Sequence, residues 1–380
     1  MTFFASKITM KRIALLTLLF AGIASAEETA LDPQTTVRVE ALRRLEGVDI
    51  HANPQLEAAV MKVLDAVRGR SEFVEIVRKF QIKGQDDALL EIAIQSSAEI
   101  AGTDATRLLL DFEANELLQK TLTGDIARAM KLAEALGNAK DKRGVALLLP
   151  LVTDMKRDPA LRQQTVRSLT KTADGATKLL KLAADGELPA DLKLTACLEL
   201  NAAPWPQIKA EASQLLPLPQ AANAQTLPPV GELLAIKGDA SRGAEIFARK
   251  ESACSACHTV HGKGRAVGPD LSEIGSKLGK EAMLASILDP SAGISFGFEA
   301  FTIRLKSDDE IYGLIVSETE EELVVKDSAG AMSRFKKRDV IERQKQKLSL
   351  MPVGLQQTMT AQDLADLLDY LASLKKPNAK

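Results

Sequence analysis

The spacing of apolar residues is helical over most of the first half of the chain. From 35 to 216, apolar side chains recur three or four positions apart, as they do on one face of an α-helix. Residues typical of helix ends interrupt these runs, for example at Asn53-Pro54, Gly102-Thr103-Asp104, Gly137-Asn138 and Asp158-Pro159. No strand-like alternation intervenes. The pattern predicts a succession of short helices.

Short helices in series, divided by regular turn signals, favour helix pairs stacked as an α-solenoid. Residues 159–169 are the best single example of a unit that resembles a degenerate HEAT repeat. An irregular helical bundle is the alternative. We therefore expect a HEAT-like helical-repeat domain over 27–216. A Pro-rich, uncharged segment at 217–230 is expected to be a linker after it.

Strand-like patterns are confined to the second half of the chain, between 297 and 345. Short runs that alternate or are β-branched are separated there by turns such as Ser-Asp-Asp and Ser-Ala-Gly. The runs lie at 298–306, 310–318, 322–327, 332–336 and 339–343. They predict a small five-stranded β-barrel, SH3-like or Sm-like, inserted between helical segments.

Composition and charge narrow the class of protein. The chain is 46% hydrophobic but only 4% aromatic, which suits stacked amphipathic helices better than a large β structure. We therefore expect a mainly α fold. The formal net charge of −2 gives no reason to expect nucleic acid or an anionic membrane surface as a partner.

The N-terminal residues have the pattern of a secretory signal peptide. Basic residues precede an apolar run at 13–23, and Ala24-Ser25-Ala26 follows it. The run is too short for a transmembrane span, so none is expected. We predict a signal peptide at 1–26, cleaved after Ala26, with translation starting at Met1 or Met10. The mature chain is then periplasmic or otherwise exported.

The strongest chemical signal is Cys254-Ser255-Ala256-Cys257-His258, the C-x-x-C-H attachment signature of c-type haem. Each thiol adds to a vinyl group of the haem, and the two intervening residues let both thiols reach from a single turn. His258 then becomes the proximal ligand of the iron. The remaining cysteine, Cys197, lies in an apolar helical pattern and is expected to be a buried structural thiol. We predict one covalently attached haem c.

Cysteine and histidine at this spacing also occur in two other kinds of site. A thioredoxin-like redox pair requires C-x-x-C beside a βαβ pattern, whereas the flanking sequence is helical and polar. A zinc site could recruit His261 to join Cys254, Cys257 and His258. Adjacent cysteine and histidine are awkward partners on one tetrahedral ion, and no distant second ligand pair exists. Haem attachment is the favoured interpretation.

Residues on either side of the motif resemble class I cytochromes c. Gly243 and Phe247 match the first helix of that family, and Leu367 and Tyr370 match the last helix, which crosses the first. The Gly-Pro-x-Leu segment that follows the haem motif in the family is matched by 268–271. The resemblance implies that the Pro269 carbonyl accepts the ring N–H of His258 and orients it.

The same resemblance implies the second iron ligand. The axial methionine of class I cytochromes c usually precedes a proline, and Met351-Pro352 fits that pattern. Met351 is thus the expected distal ligand. The other candidates for this position are Met283, Met332, Met359 and His261.

The arrangement as a whole closely resembles the Pirellula/Verrucomicrobium-type haem-binding domain family, in which a helical-repeat segment often precedes the haem domain. Its series of motifs is matched at 254–258, 268–271, 286–291, 297–299, 349–355 and 366–374. The resemblance implies a class I cytochrome c-like haem domain over 231–376, interrupted by the β-barrel at 297–345.

These features together predict an exported electron carrier rather than an enzyme, because no substrate-processing constellation is present. The expected partner is a redox protein, for instance a periplasmic dehydrogenase, docked on the helical domain. One alternative is a haem enzyme or haem-based sensor with a displaceable distal ligand. The other is a scaffold or recognition protein in which the haem is secondary.

Overall fold

A computed structural model of the chain describes residues 30–45, 47–217, 227–249, 252 and 254–376. The signal peptide expected at 1–26 and most of the linker expected at 217–230 lie outside these residues. Within the described ranges, no helix is both long enough and apolar enough to span a membrane.

The first helix, α1 (Pro33–Arg44), belongs to one compact unit, which ends at Gly47, and the described residues from Val48 onward belong to a second. The helix begins where the carboxylate of Asp32 accepts hydrogen bonds from the backbone N–H groups of Gln34 and Thr35. Pro33 occupies the first helical position, where no backbone donor is needed.

The described residues from 54 to 215 are helical almost throughout, and we call these helices the helical array. Its members are α2 (Pro54–Ala66), α3 (Ser71–Phe80), α4 (Asp86–Gln95), α5 (Ile100–Asp111), α6 (Asn115–Thr123), α7 (Ile126–Ala139), α8 (Lys142–Thr153), α9 (Pro159–Leu169), α10 (Ala173–Ala184), α11 (Lys193–Asn201) and α12 (Pro206–Leu215). Side chains of Asn53, Asp125, Asp158 and Thr172 cap first-turn N–H groups, which explains why helices begin there.

Two of the predicted helix breaks are wrong. Gly102 lies inside α5 and Gly137 lies near the end of α7 but still within it. At Gly102 a Cβ would collide with the backbone of Ser96, and at Gly137 it would lie 2.7 Å from Cβ of Ser168. These glycines therefore allow close approach of neighbouring backbone rather than a turn.

The C-terminal helices are α13 (Val230–Ala235), α14 (Ala240–Ala248), α15 (Ile274–Lys277), α16 (Lys280–Leu288) and α17 (Ala361–Ser373). The helix α17 begins with a capping box, in which the Thr360 hydroxyl and the Asp363 carboxylate satisfy each other's backbone N–H. Buried apolar residues of α14, α16 and α17 share one core: Ile246, Phe247, Met283, Leu284, Ile287, Leu364, Leu367, Leu368 and Leu371.

Seven strands form two sheets in the described residues. A two-stranded hairpin pairs β1 (Thr259–Val260) with β2 (Lys263–Gly264). The other sheet, which we call the β-insert, consists of β3 (Ala300–Leu305), β4 (Glu310–Glu318), β5 (Glu322–Lys326), β6 (Met332–Lys336) and β7 (Val340–Lys345). Its order is β6-β5-β4-β3-β7, and all neighbours are antiparallel. The mainly helical fold and the five-stranded sheet agree with the prediction.

The edge strand β6 is bonded to the helical array. The N–H of Met332 donates to the carbonyl of Ala98 (2.9 Å), and its carbonyl accepts from the Thr103 hydroxyl (2.9 Å). One residue further on, the Ser333 hydroxyl donates to the carbonyl of Asn138 (2.9 Å). Residue 98, just before α5, and helices α5 and α7 thus bond this edge strand, which covers it.

Candidate haem-binding site

The cysteine motif forms a single tight turn. Residues Cys254–Ala256 are one turn of 3-10 helix. The N–H groups of Cys257 and His258 both donate to the carbonyl of Cys254, at 3.2 and 2.9 Å. The turn therefore brings both thiols and the imidazole close together. Attachment of both thiols to one haem requires such an arrangement.

The two thiols are half-buried, and neither is in a disulfide. Burial raises the pKa of Cys254, and it also raises the pKa of Cys257, although the nearby Arg265 guanidinium acts in the opposite direction. Both groups are therefore neutral thiols at neutral pH. The third cysteine, Cys197, lies in α11 with its thiol 3.2 Å from the carbonyl oxygen of Leu216.

A loop at 265–269, which we call the proximal loop, folds back on this turn. The N–H of Arg265 donates to the carbonyl of Ser255 (3.0 Å). Further along the loop, the N–H groups of Val267 and Gly268 both donate to the carbonyl of Cys257, at 2.9 and 2.7 Å. These bonds bring Gly268 and the residue after it beside His258.

The imidazole of His258 is held by its Nδ1. This nitrogen lies 2.8 Å from the carbonyl oxygen of Pro269, and because a carbonyl can only accept, Nδ1 carries the proton. Burial lowers the pKa of His258, and the hydrogen bond to Pro269 opposes that effect only in part. The ring is therefore neutral at neutral pH, with its lone pair on Nε2.

Gly268 packs flat against the imidazole. A Cβ at this position would lie 2.6 Å from Cε1 of His258, closer than any side chain can approach. The turn thus offers two neutral thiols, a fixed ring and a free nitrogen lone pair. These residues fit haem c, which needs two thiols and one neutral imidazole.

The candidates for the distal position lie in different surroundings. Met351 is half-buried and packs against the core shared by α14, α16 and α17, and its N–H donates to the Ser349 hydroxyl (3.1 Å). Met283 and Met359 are buried members of that core. Met332 lies in β6, with its backbone bonded to the helical array.

The zinc interpretation finds no support in the geometry. His261 is exposed in the turn between β1 and β2, where its N–H donates to the Ser272 hydroxyl (2.7 Å). In the parts of the chain that the structure describes, no three His, Cys, Asp or Glu side chains are grouped to hold a metal ion.

Sequence reasoning missed the role of Asp270. Its carboxylate accepts hydrogen bonds from the Thr259 hydroxyl and from the N–H of Ser272, both at 2.7 Å. The bonds from Ser272 and Thr259 lower the pKa of Asp270 to about 2. It therefore ties the segment after Pro269 to strand β1. The Asp-x-Ser spacing was the available signal, since aspartate commonly bonds the N–H two residues on.

Comparison with known proteins agrees with this geometry. Residues 240–306 match the family model described as cytochrome c. The match contains α14, the cysteine motif and the proximal loop, and it ends after β3, before Met351. A search of curated proteins finds no match. The chain therefore contains a cytochrome c-like domain, and the chemistry of that family implies that this domain binds haem c.

Proposed function

We propose that this protein is an exported c-type cytochrome that carries one haem c and passes electrons to or from a partner protein. The observation that supports this most directly is the 2.8 Å contact between His258 Nδ1 and the Pro269 carbonyl, beside the two thiols of one turn. A carbonyl in this place fixes the tautomer of a metal-binding histidine and makes its other nitrogen more basic.

Each residue has a defined part in this proposal. When bound, haem c supplies one-electron chemistry at its iron. Cys254 and Cys257 would hold it through thioether bonds, and His258 would offer Nε2 as one ligand of the iron. Met351 would offer its thioether as the second protein ligand. Pro269 keeps the imidazole in place.

Electron transfer is favoured over catalysis or sensing because His258 and Met351 together would leave no coordination position open for a substrate. His261 is the local acid–base candidate, and it is exposed in the turn between β1 and β2, where its backbone N–H donates to the Ser272 hydroxyl. Rapid binding of carbon monoxide to the reduced protein would instead support an enzyme or sensor, because it requires an open or displaceable position.

We further propose that the helical array is a HEAT-like solenoid on which a redox partner docks, and that the β-insert closes into a small barrel. The bonds between β6 and helices α5 and α7 support the docking idea. They would hold a partner bound to the helices in a fixed position relative to the haem site. Binding of a periplasmic dehydrogenase to the full chain, measured by calorimetry with and without substitutions on the array, tests it.

The central experiment is covalent attachment. The full chain is produced with the c-type haem maturation machinery and assayed as the pyridine haemochrome. We expect one haem per chain, and a shifted absorbance band when Cys254→Ala or Cys257→Ala leaves a single thioether. The double substitution removes covalent haem. Cys197→Ala is the matched control and leaves it unchanged. A haem-free native chain would overturn the proposal.

A further inference from the structure

We propose that Lys140 and Asp327 are positioning residues for the haem iron's proximal ligand, acting from the helical array through the β-insert on His258. This inference rests on the proposed function. It assigns a role to a buried ion pair between α7 and the turn that joins β5 to β6, far along the chain from the cysteine motif.

The ion pair is buried between the two parts of the chain. Nζ of Lys140 lies 3.2 Å from Oδ2 of Asp327, and the two residues are only 4% and 8% exposed. Burial opposes ionisation of Asp327, but the ammonium groups of Lys140 and Lys171 outweigh it and hold the pKa of the carboxyl below its ordinary value. Lys140 caps α7 in a left-handed conformation, at φ 53°, which is uncommon for a lysine.

The other oxygen of Asp327 shapes the turn at 327–331, which we call the tether turn. Oδ1 accepts hydrogen bonds from the N–H of Ala329 (3.0 Å) and of Ala331 (2.9 Å). Gly330 sits at the tip with φ +81°, and its N–H donates to the carbonyl of Asp327 (3.0 Å). One carboxylate thus sets the shape of the tether turn and fastens it to the helical array.

The tether turn lies against the proximal loop. The carbonyl of Ala329 accepts from Nη1 of Arg265 (2.7 Å), and Nζ of Lys326 donates to the carbonyl of Ala266 (2.9 Å). A Cβ at Gly330 would lie 3.3 Å from the side chain of Val267, which is buried. Two hydrogen bonds and one packed contact therefore join the β-insert to three consecutive residues of the loop.

The proximal loop in turn holds the imidazole. Val267 and Gly268 are bonded to the carbonyl of Cys257, Gly268 packs on the ring of His258, and Pro269 accepts its Nδ1–H. A loop held less firmly makes a weaker hydrogen bond to Nδ1. The weaker bond makes the imidazole less basic and stabilises ferric iron less. Loss of the ion pair is therefore expected to raise the reduction potential.

The test removes both charges together in the haem-loaded full chain, as Lys140→Met with Asp327→Asn. The amide oxygen can still accept from Ala329 and Ala331, so the tether turn keeps its shape while its link to α7 is lost. We expect the potential to rise, with a change on the order of threefold in the ferric-to-ferrous ratio at fixed potential, where tenfold corresponds to about 59 mV. Exchange of the His258 Nδ1 proton, followed by NMR, is expected to become faster.

A matched control separates positioning from general destabilisation. Arg162 of α9 and Asp191, in the connection between α10 and α11, form another ion pair at 2.8 Å, and the Arg162 side chain is only 2% exposed. Nε of Arg162 bonds the carbonyl of Val152, also within the array. Arg162→Met with Asp191→Asn is expected to lower stability and leave both the potential and the proton exchange unchanged.

A second variant tests the bond between the proximal loop and the tether turn. It changes Arg265, whose side chain is exposed. Arg265→Met removes the bond to Ala329 and is expected to speed exchange of the His258 Nδ1 proton, whereas Lys263→Met, at an exposed neighbouring position, is not. Proton exchange is the measurement for this variant because loss of the guanidinium charge near Cys257 by itself lowers the potential. When Arg265→Met is combined with Lys140→Met and Asp327→Asn, the further change in proton exchange is expected to be smaller than the change caused by Arg265→Met alone. Both sets of substitutions break the same connection between α7 and the proximal loop. An unchanged potential in a chain with covalent haem would overturn this inference alone. Absence of covalent haem would remove the proposed function and this inference with it.

Discussion

Gly243 and Asp366 are in backbone contact where α14 crosses α17. A Cβ at Gly243 would collide with the carbonyl oxygen of Asp366 and would lie 2.6 Å from Cβ of Tyr370. Phe247, one turn further along α14, packs against the Tyr370 ring in a tilted arrangement, with 5.8 Å between the centroids and 56° between the ring planes. The two helices can cross this closely only because Gly243 has no side chain. The crossing sets the positions of α14 and α17, which share one core with α16.

The first prediction is that Gly243→Ala destabilises this crossing. The added methyl group cannot be placed without separating the helices, which costs about 1–3 kcal/mol for an overpacked core. Denaturant unfolding followed by circular dichroism measures the loss. Gly231→Ala is the matched control, since Gly231 also lies in a helix and a Cβ there would have nothing within 4 Å. Equal stability of the two variants would contradict the prediction.

A second prediction concerns the stability of the fold at acidic pH. Arg242 donates to both oxygens of the buried Asp366 carboxylate, at 2.7 and 2.9 Å, and the N–H of Asp239 donates at 2.8 Å. The bond from Arg242 above all lowers the pKa of Asp366 in the folded chain. Because the pKa of Asp366 is lower in the folded chain than in the unfolded chain, the ionised carboxylate stabilises the fold at pH values above the unfolded pKa, which is near 3.8.

The stabilisation by Asp366 begins to be lost when the pH falls below about 4, and the loss is complete once the pH has fallen below the pKa of Asp366 in the folded chain. Thermal unfolding of the native chain is therefore expected to shift to lower temperature over this range. Asp366→Asn is expected to be less stable at neutral pH and to lose less on acidification. Asp308→Asn is the control, because this exposed residue has φ 67°, a conformation that asparagine adopts as readily as aspartate. Parallel pH profiles for native chain and Asp366→Asn would contradict the prediction.

The elements that sequence predicts well here are those defined by local pattern. The strands of the β-insert were found because period-two alternation and turn residues suffice to identify them, and the capping box at Thr360 is visible within four residues. The turn that groups Cys254, Cys257 and His258 is equally local. The closure of the barrel and the solenoid remain predictions.

What local pattern could not supply is proximity between distant segments. Gly137 has the same sequence signature in a turn as in a tight helix contact, and only Ser168 of the distant helix α9 decides between them. Similarly, nothing near Lys140 in sequence indicates Asp327, since the pair forms only when the edge of β6 meets α5 and α7. Neither long-range contact leaves a periodic trace in the sequence.

A third prediction concerns the fit of Gly268 against His258. In Gly268→Ala, the methyl group has to displace the imidazole, since its Cβ would lie 2.6 Å from Cε1. The ring then moves off the Pro269 carbonyl. We expect several-fold less low-spin haem by absorbance, with the thioether bonds retained on the denatured chain. Gly279→Ala, where a Cβ would have nothing within 4 Å, is the control and is expected to have the native spectrum.

The last prediction identifies the distal ligand by one chemical change made at two methionines. Met351→Leu and Met359→Leu both replace a thioether by a hydrocarbon of similar volume, so packing loss is small at either place. Met359 is buried in the core, whereas Met351 is half-buried at its margin. We expect only Met351→Leu to lose the ferric methionine-ligand absorbance band and to have a lower potential, because a thioether ligand favours ferrous iron. If Met359→Leu lost the band and Met351→Leu kept it, Met359 would be identified as the distal ligand instead.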